Sequence, residues 1–139
     1  MSEPIVVKPS DVEERTWPGG GKGRKMITPD FPGSKNLMIG IICADPGKSP
    51  HRWHTHTVDR GERNEIVYPE NFEEAYFILK GKGNLTWKAN GEEKDVVVEE
   101  GDAIYFPMKV AEHQVLNTGD EQLILLFTAT PSTYWRTIE

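Results

Sequence analysis

The sequence predicts an all-β domain of the sandwich or barrel type. Three observations carry this. Short runs rich in Val, Ile, Leu, Phe and Tyr recur along the chain, separated by Gly, Asn and Asp turns. No stretch shows the long 3.6-residue apolar period of an amphipathic helix. No internal repeat is present. With 139 residues, the chain has the size of one domain with a real core. Residues 1–139 therefore read as a single unit, with an arm and loop at 1–23 and a core at 24–130.

Residues 4–8 (PIVVK) predict a short edge strand and the polar residues 11–16 a helical turn. Trp17 is followed by PGGGKG, a turn that breaks regular structure. RKMIT at 24–28 is a strand stopped by Pro29, and KNLMIGIICA at 35–44 is another. ADPGKSP then turns the chain into a strand carrying His54 and His56. Residues 57–71 (TVDRGERNEIVYPEN) are long and charged, and predict an insertion or lid. From Phe72 the pattern is regular. EEAYFILKG is a strand, and NLTWKA alternates with Leu85, Trp87 and Ala89 on one face. Asn90-Gly91 is a two-residue hairpin turn leading to KDVVVE. AIYFP, EHQVLN and QLILLFTAT complete the strands.

Composition narrows the function classes. Hydrophobic residues at 37% and charged residues at 27% fit a globular protein. The formal charge of −6 argues against a broad nucleic-acid surface, which needs clustered Lys and Arg. No apolar run is long enough to span a membrane, and MSEPIVVKPSDVEE lacks the signature of a signal peptide, so a cytoplasmic location is expected. The one cysteine, Cys43, lies in LMIGIICA and is expected to be a buried small residue.

His54 and His56 stand at i and i+2, so on a strand they share a face. Glu74 and His113 each open a later strand and can face the same interior. Three imidazoles and one carboxylate suit a divalent transition metal (iron, manganese, zinc, nickel or copper) better than calcium or magnesium.

These residues resemble the two motifs of the cupin superfamily, small RmlC-like members in particular. Gly47, His54, His56, Glu74 and Gly81 follow the first motif, with one extra residue before His54 and 17 residues between His56 and Glu74. Gly101, Pro107, His113 and Asn117 follow the second, with Lys109 in place of its glycine and one extra residue before His113. The resemblance implies a cupin-type jelly-roll barrel, also described as a double-stranded β-helix. It implies one metal inside, held by His54, His56, Glu74 and His113. It also implies a homodimer, with Tyr134 and Trp135 available to pack against a second subunit.

Other residues carry two readings each. Tyr76 shares the face of Glu74 and serves either as a proton donor and acceptor beside a metal, as in some cupin lyases, or as a core aromatic. His51 is off the face of His54 and reads as a surface loop histidine, an outer base of the site or an alternative ligand. Arg52, Arg60, Arg63, Arg24 and Lys25 are candidates to clamp a substrate carboxylate or are solvated charges. Trp53, Trp87 and Phe106 read as core or interface. The functional expectation is a mononuclear metal enzyme acting on a small polar organic molecule, a dioxygenase or a lyase, decarboxylase or isomerase. The alternative is a ligand-binding or sensor module.

Overall fold

The structure, a computed structural model, describes residues 2–53, 59–60, 66–68, 72–108 and 110–130. Its strands are β1 (Arg15–Thr16), β2 (Lys22–Ile27), β3 (Met38–Ala44), β4 (Asp59–Arg60), β5 (Ile66–Tyr68) and β6 (Glu73–Lys80), followed by β7 (Lys82–Ala89), β8 (Glu92–Glu99), β9 (Ala103–Phe106), β10 (His113–Leu116) and β11 (Leu123–Thr130). Six strands form one sheet in the order β1-β2-β3-β11-β6-β9, and three form a second in the order β10-β7-β8. The result is the expected all-β jelly roll. The core lies between the sheets, where Val98 and Val115 of the small sheet meet Ile42, Ile78, Leu125 and Phe127 of the large one. Among the described residues, no helix is long and apolar enough to cross a membrane.

Alternation decides which face is buried. On β11, Leu123, Leu125, Phe127 and Ala129 point inward, and each residue between them is half-exposed. Each large apolar side chain buried this way contributes about 1.5–3 kcal/mol. Gly40 faces Phe127 across the β3–β11 ladder, and a Cβ there would lie 2.5 Å from the Phe127 ring. The glycine is therefore the space into which that ring packs. Asn90 and Gly91, with φ of 53° and 78°, make the predicted hairpin turn with both residues left-handed.

Several expectations are corrected. Residues 4–8 form no strand, and Ile5 and Val6 are exposed. The early helical turn is a single 3-10 turn at Pro9–Asp11. Within the 57–71 stretch, whose expected role as an insertion or lid is unaffected, a short β4–β5 ladder pairs Asp59 with Tyr68. Cys43 is not buried. Met38, Gly40, Ile42 and Ala44 take the inner face of β3, which leaves Cys43 half-buried on the outer face. Partial burial raises its thiol pKa, and nearby Glu14 and Asp45 raise it further.

Candidate metal centre

Strand β6 places Glu74, Tyr76 and Ile78 on the inner wall, because the odd-numbered residues between them face out. Glu74 and Tyr76 are each only 4% exposed. The β6–β9 register sets Glu74 opposite Phe106 and Tyr76 opposite Ile104. On the other flank of β6, Glu74 faces Ala129 and Tyr76 faces Phe127. A carboxylate among such neighbours requires compensation from donors or a cation, since desolvation alone disfavours its charge.

His113 opens β10, opposite Trp87 of β7, and is 1% exposed. Its ring stacks on Phe106 at a centroid distance of 4.3 Å and an interplanar angle of 21°. Tyr76 meets the same Phe106 edge-on at 4.8 Å. Phe106 is thus the common neighbour that brings Glu74, Tyr76 and His113 to one end of the barrel. Nδ1 of His113 lies 2.8 Å from the carbonyl oxygen of Ala111. A carbonyl only accepts, so Nδ1 is the donor and the neutral ring carries its lone pair on Nε2. That Nε2 is buried. A backbone carbonyl fixing one ring nitrogen is the arrangement that orients a metal-ligating histidine through the other. The donor set of Glu74 and His113 therefore fits a divalent transition metal.

His54 and His56 lie outside the described residues, as do Lys109, Arg63, Tyr134 and Trp135. Among the described residues, no three His, Cys, Asp or Glu side chains gather as a metal cage. Of the remaining candidates, Arg24 donates from Nη1 to the carbonyl of Val12, which ties it to the N-terminal segment. Lys25 stands 6.0 Å over the Trp17 ring. Arg52 is exposed, and its backbone N–H binds the carbonyl of Pro18. His51 is half-exposed, with Nδ1 3.1 Å from the carbonyl of Arg52. Arg60 lies on β4, which pairs with β5.

Three residues matter more than their sequence reading implied. Phe106 is the hub of the inner wall rather than generic core, and the alternation of AIYFP already pointed it inward with Ile104. Trp87 lies beside His113 across the ladder. Asn117, 1% exposed, uses its whole amide: Nδ2 donates to the carbonyls of Ala44 (2.8 Å) and Glu121 (2.9 Å), and Oδ1 accepts from the Gly119 N–H (2.9 Å). Its backbone also binds Gly47 and Lys48. Asn117 thereby ties the end of β10 to the turn ahead of His54. A hollow of about 190 Å³ borders Glu73, Tyr105, Thr128 and Thr130. Its lining also includes Glu74 and Ala129, the inward residues of the same two strands.

A small β-barrel with a buried carboxylate and an oriented imidazole on its inner wall defines the class. The sequence profile of the cupin domain matches residues 40–129. The chain belongs to the cupin family. A search of curated proteins finds no match. Among solved structures, the polyketide cyclase RemF of Streptomyces resistomycificus is 19% identical with a TM-score of 0.65, over 100% of this chain and 87% of that one. A predicted oxalate decarboxylase of Thermotoga maritima is 23% identical with a TM-score of 0.62, over 91% and 98% of the two chains. The oxalate decarboxylase of Bacillus subtilis, which has Mn(II) centres, is 22% identical with a TM-score of 0.59, over 86% of this chain and 28% of that one. At these identities the likeness is one of fold.

Proposed function

We propose that the chain is a mononuclear metal-dependent enzyme acting on a small polar organic substrate, of the dioxygenase or the lyase, decarboxylase or isomerase type. His54, His56, Glu74 and His113 would hold one divalent transition metal. The observation that carries this reading is the convergence of Glu74 and His113 on Phe106, with His113 Nδ1 anchored to a carbonyl and Nε2 turned into the buried side. The Mn(II) centres of the Bacillus subtilis relative support the metal component. When bound, the metal supplies Lewis acidity or redox chemistry.

The chain's own residues do the rest. Phe106, Ile104 and Phe127 surround Tyr76 and exclude water from its ring. Tyr76, two residues from Glu74 on the same wall, would hold or move a proton at its Oη. The test is turnover screening of reconstituted protein: oxygen uptake with iron, and lyase, decarboxylase and isomerase assays with manganese, zinc and nickel. In the assay that responds, Tyr76→Phe is expected to leave metal content unchanged and lower turnover roughly 100-fold or more. Unchanged turnover would return Tyr76 to packing alone.

A further inference from the structure

We infer that the glycine loop at residues 17–21 is a working part of the metal centre, positioning the chain that leads into His54; this rests on the metal reading above. Sequence alone makes PGGGKG a break between elements. In the structure it is a closed turn fixed at both ends. Trp17 donates its N–H to the carbonyl of Gly21 (2.7 Å), and Gly20 donates to the carbonyl of Trp17 (3.0 Å). The Trp17 ring is buried in the core over Gly23, where a Cβ would lie 2.7 Å from it. The turn is thereby anchored to the large sheet.

From that anchor it grips the lead-in to the histidine pair. Ser49 donates its N–H to the carbonyl of Gly19 (3.1 Å), and Arg52 donates to the carbonyl of Pro18 (2.9 Å). Gly20 and Ser49 form a parallel bridge. Ser49, 2% exposed, turns its Oγ–H onto the carbonyl of His51. Gly21 makes the closest approach, since a Cβ there would lie 2.5 Å from the carbonyl oxygen of Pro50 and 2.7 Å from its Cα. Gly19 and Gly20 have positive φ, but Gly21 does not. Contact rather than backbone conformation therefore demands glycine at 21.

The same lead-in is held on either side. Asn117 binds Gly47 and Lys48 through its backbone. Lys88 stands 4.5 Å over the Trp53 ring, and its N–H binds the carbonyl of Glu112, the residue before His113. Residues 47–53 are thus fixed relative to both the core and β10. Arg52 precedes His54 by two residues, about 7 Å of chain at most, so under the metal reading residues 49–52 are next in the chain to the proposed ligands. These are positioning residues, and their effect should appear in metal affinity and geometry rather than only in stability.

The test titrates metal-free protein with Co(II), followed by its visible absorption, and with Mn(II), followed by its paramagnetic resonance. Gly21→Ala and Ser49→Ala are compared with wild type and with Gly91→Ala. Gly91 has φ of 78° and no atom within 4 Å of its Cβ site, so its variant strains a turn without touching the lead-in. Gly21→Ala is expected to bind roughly 10–100-fold more weakly, with altered spectra, the range for residues that orient a ligand. Ser49→Ala is expected to shift affinity in the same direction. Gly91→Ala should melt earlier yet keep wild-type affinity and spectra. Folded Gly21→Ala and Ser49→Ala proteins with wild-type affinity and spectra would overturn the inference, and Ser49→Ala decides if Gly21→Ala does not fold. A wild type that binds neither ion removes the metal reading and this inference with it, a result distinct from unaffected variants beside a metal-binding wild type.

Discussion

Replacing His113 with Ala is expected to weaken divalent-metal binding by more than about 100-fold, beyond the 10–100-fold range for residues that only orient a ligand. The ring is 1% exposed, its Nδ1 is committed to the Ala111 carbonyl, and its Nε2 is buried. The Ala111 carbonyl sets the tautomer that leaves the lone pair on Nε2, so the substitution removes an oriented donor. The Ala variant also opens space against Phe106, which stacks on the ring at 4.3 Å. His113→Gln fills more of that space and separates packing from ligation. Calorimetric titration of both variants is the measurement, with Gly91→Ala, remote from the lead-in, as the control that should bind normally. Wild-type affinity in His113→Gln and His113→Ala would exclude His113 as a ligand.

Asn117→Ala should be the most damaging single change to stability outside the apolar core. It strands the buried carbonyl of Ala44 and, at the part-buried rim of the site, the carbonyl of Glu121 and the N–H of Gly119. Unsatisfied buried groups cost about 1–3 kcal/mol each, partly relieved by relaxation, so a net loss of about 3 kcal/mol is expected. Asn117→Asp should do no better. It keeps an acceptor for Gly119 but turns a carboxylate oxygen toward two carbonyls. Urea denaturation of the metal-free protein reads both effects. A loss below about 1 kcal/mol for Asn117→Ala would mean that water replaces the amide there.

Much of this architecture is legible in the chain because period-two burial is strong. LILLFTAT alternates throughout and EEAYFILK as far as Ile78, and that alternation alone places Glu74 and Tyr76 on one wall. The Asn90-Gly91 hairpin is equally local. What the pattern hides depends on register between distant strands. Phe106 gains its role from facing Glu74 across one ladder and from its stacking on His113, which no local window reports. Cys43 misled because an apolar run does not say which of its residues face out. The glycine loop misled for a related reason. A lack of side chains reads as flexibility, whereas here it permits backbone contact with residues 49–52.

One divalent transition metal is proposed for the inner wall of this barrel. Elemental analysis of protein purified in metal-free buffers, then reconstituted and desalted, tests it most directly. About one equivalent of metal per chain is expected in the wild type and its loss in His56→Ala, in keeping with a single mononuclear site. No retained metal in the reconstituted wild type would contradict it, and would leave Glu74 and His113 as members of a polar network in a ligand-binding barrel.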